Sequence, residues 1–223
     1  MQSQLAQDAF PIQEWRNLMQ NASHPVAITG AGISVASGLP TVRETWKGTK
    51  LKDFFTWDMF SRKTRQFYQF YRHIYQDWRD AKPNQAHLAL ARQQVPIITQ
   101  NIDGLHQKAG SSHVLELHGN LFELKCIGCQ TLFPADYGYR DEIPRCPSCQ
   151  EILKPNIVLV GEQVYHYGTA VDWVGKADVL LIVGTKLEMA PCKELPQIAV
   201  RNQVPLIRLN RQAELILPQI MKE

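Results

Sequence analysis

With 223 residues, 44% of them hydrophobic and 20% charged, the chain has apolar material enough for a true core, and its net charge of +3 is too small to demand a nucleic-acid partner. No apolar run reaches the length of a membrane span, so no membrane partner is expected. The opening MQSQLAQDAFPIQEW lacks a basic stretch followed by an apolar one, so no secretory leader is expected and the location that follows is cytoplasmic.

In chain order, Ser3–Asn21 carries apolar residues at helical spacing, broken at Pro11. Pro25–Thr29 reads as a short strand that empties into Gly30-Ala31-Gly32-Ile33-Ser34. Ser37–Pro40 is rich in turn formers, and from Arg43 to about Thr56 no period holds. Arg62–Trp78 is aromatic on one broad helical face, Lys82-Pro83-Asn84 breaks it, and Gln85–Gln93 is a compact helix. Val95–Thr99 and Val114–Leu117 read as buried strands. Cys126–Cys149 is poor in aliphatics. Strand-like runs resume at Ile157–Val160, Val179–Val183 and Leu206–Leu209, with helices expected near Thr169–Lys176, Cys192–Val200 and Gln212–Met221.

Strands separated by helix-length spacers imply an α/β fold with a parallel sheet. Five of the six strand candidates exit into small or polar residues: Gly30-Ala31-Gly32, Gln100-Asn101, His118-Gly119, Gly184-Thr185 and Asn210. The carboxyl ends of parallel strands share one edge, where such sheets bind ligands. The glycine turn suits either a phosphate or a tight packing turn and is not a full dinucleotide fingerprint, since Val35 stands where a third glycine belongs. Asp53 has the spacing of a ribose-binding acid, but no strand leads into it. His118 is the candidate general base, because Ser34, Asn101 and Asp103 come from neighbouring strand ends. The other histidines, His24, His73, His87, His106, His113 and His166, have less such company. For Asn101 and Asp103 the competing reading is an Asx turn that closes the strand.

The cysteines follow a firmer pattern. Cys126-x2-Cys129, sixteen residues, then Cys146-x2-Cys149 is the spacing of a zinc ribbon. Four thiolates leave no open coordination position, so one structural zinc ion is expected. Two disulfides or four unrelated thiols are the alternative, disfavoured by the missing export signal. Cys192 is left over as a small buried residue.

Taken together, GAGISVASGLP with Arg43, KPNQAHLALA, ITQNIDGLHQKAG, ELHGN, the cysteine knuckles, VLVGE and IVGT resemble the sirtuin family, in its order, over roughly residues 26 to 210. The resemblance implies a Rossmann-like domain (1–42, 80–121 and 154–223) and a smaller module of helical insertion plus zinc ribbon (43–79 and 122–153). It implies an NAD-dependent protein-lysine deacylase that moves the acyl group to ADP-ribose and releases nicotinamide. NAD and an acyl-lysine protein or peptide would meet between the domains. Gly30, Ala31, Gly32 and Ser34 would hold the pyrophosphate, with Arg43 in the cofactor loop. Gln100 and Asn101 would contact the ribose, and Ile102 and Asp103 the nicotinamide amide. His118 would be the base for a ribose hydroxyl, with Asn101 and Asp103 beside it as catalytic residues. Gly184, Thr185, Lys186 and Asn210 would line the phosphate and adenosine end. Val158, Val160, Gly161 and Glu162 would pair with the substrate backbone.

Some positions depart from the family pattern. Val42 and Val160 stand where Phe is usual, which suits a bulky or long acyl chain. Lys186 replaces a Ser and puts a cation near a phosphate-binding turn, and the chain after Asn210 is short, so the resemblance leaves the adenine contacts open. Tyr68 and Arg72 share a helix face and form an off-pattern version of a clamp for acidic acyl groups; the other reading is an aromatic packing face. Two further functions use the same scaffold: a mono-ADP-ribosyltransferase or NAD hydrolase, and a non-catalytic NAD-sensing module whose ribbon binds partners. His118 favours the deacylase, since transfer to water or to a protein nucleophile needs no ribose-hydroxyl base.

Overall fold

A computed structural model gives the structure of residues 10–221. The sequence-expected helix before Asn21 begins at Ile12, just past Pro11 (α1, Ile12–Asn21), and its expected part before Phe10 lies outside the described residues. Five parallel strands form the main sheet in the order β10-β9-β1-β4-β5: β1 is Pro25–Thr29, β4 Ile97–Thr99, β5 Val114–Glu116, β9 Val179–Val183 and β10 Leu206–Leu209. The order places β1 at the centre, with β4 and β5 filling one side and β9 and β10 the other. The chain therefore reverses direction of growth between β1 and β9, the place where an open sheet forms its ligand crevice.

Each face of the sheet is covered. Ala27, Ile97, Leu181, Val183, Ile207 and Leu209 face α5 (Gln85–Arg92), α9 (Ala213–Ile220) and α1. Val26, Ile28, Ile98, Leu180 and Ile182 face α7 (Tyr167–Lys176) and α8 (Leu195–Arg201). Strands apolar on both faces are what a parallel sheet between helix layers requires.

The second module has its own core. Two excursions build it. The first runs through the β2–β3 hairpin (Thr45–Trp46, Thr49–Lys50), α2 (Leu51–Phe54), α3 (Trp57–Arg62) and α4 (Thr64–Trp78). The hairpin occupies a stretch where no period is visible, and its turn uses Lys47 and Gly48 at φ of 46° and 82°. The second excursion contributes a three-stranded sheet, β7-β6-β8, from β6 (Gly119–Cys126), β7 (Leu132–Pro134) and β8 (Leu153–Ile157). Phe54 stacks on Phe67 at 4.7 Å between ring centroids, and Tyr71 donates its hydroxyl to the Leu121 carbonyl at 2.9 Å, tying the two excursions together.

The strand expected at Ile157–Val160 is corrected by this topology. It lies at Leu153–Ile157, runs antiparallel to β6 and belongs to the small sheet rather than the parallel one. Pro155 sits in it without cost because β8 is an edge strand. Leu153, Ile157 and Leu159 pack in the small module's core. Strands β6 and β7 are not expected from the sequence; in β6 a register irregularity between Gly119 and Leu124 blurs the alternation that would show it.

Candidate active site

The floor of the crevice is a close contact between two glycine turns. The Gly32 N–H donates to the Gly184 carbonyl at 2.8 Å. Gly184 has φ +64°, and a Cβ there would lie 2.1 Å from the Ile33 nitrogen. Only glycine allows β1 and β9 to deliver their ends this closely. Beyond Gly30 the chain winds into a 3-10 turn over Ala31–Ser37, with Ser34 buried on it.

Ser34 is the hub of the polar cluster. Its hydroxyl donates to Asp103 Oδ2 at 2.7 Å and accepts from Asn101 Nδ2 at 3.2 Å. His87 Nδ1 accepts the Asn84 backbone N–H at 3.3 Å, so Nε2 is the protonated nitrogen and points to Ser34 Oγ at 3.4 Å. Asp103 does two jobs, since Oδ1 also accepts the Leu105 N–H at 2.9 Å. The Asx turn and the crevice contact therefore coexist in one carboxylate. Burial pushes the Asp103 carboxyl up, and the Leu105 and Ser34 hydrogen bonds pull it part of the way back.

A second buried layer supports the first. Thr29 Oγ1 donates to Thr99 Oγ1 at 2.9 Å and therefore accepts from His106 Nε2 at 2.9 Å. The opposite nitrogen, His106 Nδ1, is buried without a partner among the described residues, as an unprotonated lone pair can be. His87 and His106 lie 4.9 Å apart, and burial lowers both, His87 to about 4. Both rings are neutral and structural. Reading the strand ends alone misses them; the signal for His87 is its place three residues after the helix-capping Asn84, where it completes a capping box.

His118 is placed differently. Its Nδ1 lies 2.9 Å from the Gln100 carbonyl, which can only accept, so Nδ1 carries the proton and Nε2 keeps its lone pair. Burial lowers its basicity, and the bond to Gln100 partly restores it. The ring is only half-buried, unlike His87 and His106. Gln100 also binds Thr185: Thr185 Oγ1 donates to Gln100 Oε1 at 2.7 Å. One residue at the end of β4 thus couples the ends of β5 and β9. Gly119, next to His118, has φ +76°, and a Cβ there would lie 2.0 Å from the Asn156 carbonyl oxygen. That glycine holds His118 against β8.

The remaining sequence-predicted residues fall around this centre. Arg43 is exposed and forms an ion pair with Glu188 of the segment after β9. Ile102 packs against the small module's core. Lys186 and Asn210 are exposed beyond the ends of β9 and β10. Val158 donates its N–H to the His118 carbonyl at 2.8 Å, while Val160 donates its N–H to the Phe55 carbonyl and is exposed. Glu162 accepts from Lys154 Nζ and from the Leu159 N–H, both at 2.8 Å, so it braces the segment from behind. Gly161 has φ +102° and open space around it.

Tyr68 and Arg72 meet each other, with the guanidinium 5.7 Å from the ring centroid. Tyr68 is fully buried. Arg72 gives its donors to the carbonyls of Gly138, at 2.7 Å, and of Asp141 and Glu142. As placed here, the pair props the ribbon loop against α4 and leaves no free cation for an acidic acyl group.

The four cysteines Cys126, Cys129, Cys146 and Cys149 converge, with all Sγ atoms within 4.8 Å of one another. Two of the separations are 3.3 and 3.7 Å, close to the ~3.8 Å edge of a sulfur tetrahedron with Zn–S near 2.3 Å. None is in a disulfide. The donor set and its spacing fit one zinc ion. Cys192 is buried apart from them.

Comparison with known proteins adds the following. The Sir2 family model matches residues 30–191. A Bacillus cereus NAD-dependent protein deacetylase is 35% identical over 201 residues, covering 86% of this chain and 82% of that protein. A Pyrococcus furiosus NAD-dependent protein deacylase is 35% identical over 223 residues, covering 93% and 89%. Among solved structures, a Sir2–p53 peptide–NAD+ complex superposes with a TM-score of 0.84 at 29% identity, over 95% of this chain and 98% of that one. A Sir2 homologue–NAD complex gives 0.88 at 26% identity, over 96% and 93%.

Proposed function

This chain belongs to the Sir2 family, and from its site we infer an NAD-dependent protein-lysine deacylase that transfers the acyl group to ADP-ribose. The observation that carries the reading is His118, a neutral imidazole with Nδ1 committed to Gln100 and Nε2 left as the base. It stands at the same sheet edge as the Ser34–Asn101–Asp103 cluster. The names of the matching relatives favour this function over ADP-ribosyl transfer, NAD hydrolysis or a non-catalytic role.

The family resemblance, together with the gathering of these residues at one sheet edge, supports the following division of labour. The Gly30–Ser34 turn and Gly184-Thr185 hold the dinucleotide pyrophosphate, with Arg43 closing over it. Gln100 and Asn101 take the ribose, Ile102 and Asp103 the nicotinamide amide, and Asn210 the adenosine end. The bound dinucleotide supplies a glycosidic carbon with a good leaving group. Once nicotinamide has left and the acyl oxygen has bonded to that carbon, His118 Nε2 would accept a proton from a ribose hydroxyl; its oxygen would attack the acyl carbon, and water would complete the release of free lysine and acylated ADP-ribose. The buried cluster fixes orientation and excludes water rather than exchanging protons itself. The substrate strand adds at Val158–Glu162, the exposed side chain of Val160 leaving room for a long acyl chain. The large and small domains divide near the boundaries drawn above, one structural zinc ion sits in the ribbon, and its four reduced thiolates suit a cytoplasmic location. Among the described residues no helix is long and apolar enough to cross a membrane.

The test is to incubate the protein with NAD and a panel of acyl-lysine peptides, following free nicotinamide and peptide mass. Nicotinamide release that depends on peptide and accompanies acyl loss supports the reading. Nicotinamide release with ADP-ribose added to protein, or NAD binding without turnover, refutes it.

A further inference from the structure

Beyond the Gly184-Thr185 turn the sheet edge carries a feature that acyl transfer does not use. An open cavity of ≈ 450 Å³ lies between the segment after β9, the turn before α8, and β10. Lys186, Lys193 and Arg208 line it, one from each of these elements. Lys186 directly follows Thr185, and Arg208 stands two residues before Asn210. Two of its lining residues are therefore chain neighbours of the residues assigned to the adenosine end of the crevice.

Two acids share its wall, and each already has a cation. Glu188 pairs with Arg43, and Glu194 lies 3.9 Å from Lys193. Among the described residues, Lys186 and Arg208 have no acidic or hydrogen-bonding partner. Two unpaired cations on one concave wall raise the local concentration of anions. Dinucleotide-binding sheets that select NAD place a carboxylate on the adenosine ribose, and those that accept NADP place an arginine near the 2′-phosphate. Here β9 and β10 exit into Thr185 and Asn210, which carry no charge, and the nearest unpaired charges are positive.

We propose that this cavity is a phosphate subsite, and that through Lys186 and Arg208 the protein binds NADP as well as NAD. The proposal rests on the crevice being the NAD site. It concerns binding and is tested as binding.

The full chain is titrated calorimetrically with NAD, NADP, 2′-AMP and inorganic phosphate. NADP is expected to bind within about threefold of NAD, with the steeper loss on raising salt. Arg208→Gln, an exposed position, is expected to weaken NADP about tenfold and to leave NAD within about twofold. Lys186→Ser is expected to weaken NADP by at least as much. Normal NAD binding with NADP rejected, or NADP affinity untouched in the double variant, overturns the subsite and leaves the NAD reading standing. Failure of both dinucleotides to bind overturns the two together. Inorganic phosphate that displaces NADP as well as 2′-AMP does marks a free anion site and also overturns the proposal.

Discussion

Ser34 shows how much one side chain can organise. Its single hydroxyl hydrogen goes to Asp103, its lone pairs face Asn101 and His87, and so three strand or helix ends are set by one oxygen. His118 stands outside this cluster and is free to act. His118→Ala is expected to lower kcat/KM for deacylation by roughly 10²–10⁴-fold with the fold retained, measured against a matched melting curve. Because burial lowers its basicity, His118 stays neutral to more acid pH than an ordinary histidine. The acid limb of the kcat/KM profile should therefore fall below 6.5, and a limb above 7 would reject His118 as the base. Glu116 on β5 behaves in the opposite sense. Burial raises its carboxyl from 4.5 to about 7, although Gln107 and Asn120 both donate to it. The folded state binds that proton more tightly than the unfolded one, so this contribution is full below pH 4.5 and is lost as pH rises toward 7. Glu116→Gln should be near neutral at pH 4.5 and stabilising at pH 8, by roughly 3 kcal/mol at most. Equal effects at both pH values in thermal melts would contradict this.

At the scale of elements, glycine and proline decide where the chain changes sheets. Gly119→Ala puts a methyl group 2.0 Å from the Asn156 carbonyl oxygen and forces a φ of +76° on alanine. A loss of about 3 kcal/mol or more in urea denaturation is expected, with deacylation lost in proportion because His118 is the next residue. Retained stability would show that β8 can move aside. The large sheet was legible in the sequence because its strands are apolar on both faces and are punctuated by Gly, Asn and Asp. The polar residues that the fold gathers, Ser34, Gln100, Asn101, Asp103 and Thr185, were legible at the same points, since they follow the strand ends. β8 was not legible, because Pro155 interrupts it and the apolar pattern resumes only at Ile157, where pairing stops. β6 was hidden by its irregular register. His106 looked ordinary in sequence because its partner, Thr29, is 77 residues away. Glu188 acquired interest only when the fold brought it to Arg43.

At the scale of the molecule, the zinc ribbon and the helical insertion are one body. Cys126 and Cys146 belong to the same core as Phe54, Phe67 and Tyr71, so the metal ties down more than its own loops. Chelation is expected to remove about one zinc per chain and to cost deacylation as well as ribbon order, read by metal analysis and tryptophan fluorescence, the parallel sheet surviving by circular dichroism. Full activity in a zinc-free protein would refute this coupling. The strand order has a consequence for how the chain is made. Among the described strands β1 is made first, and it ends in the middle of the sheet. One of its edges is covered by β4, but the other waits for β9, through pairs such as Pro25 with Val179. For most of synthesis the nascent chain thus carries an apolar strand with an open edge, and the aromatic face of α4 likewise waits for β6. Chains stopped before residue 179 should be far less soluble than the whole protein, and a cell making it would need to shield that edge until the last strands arrive.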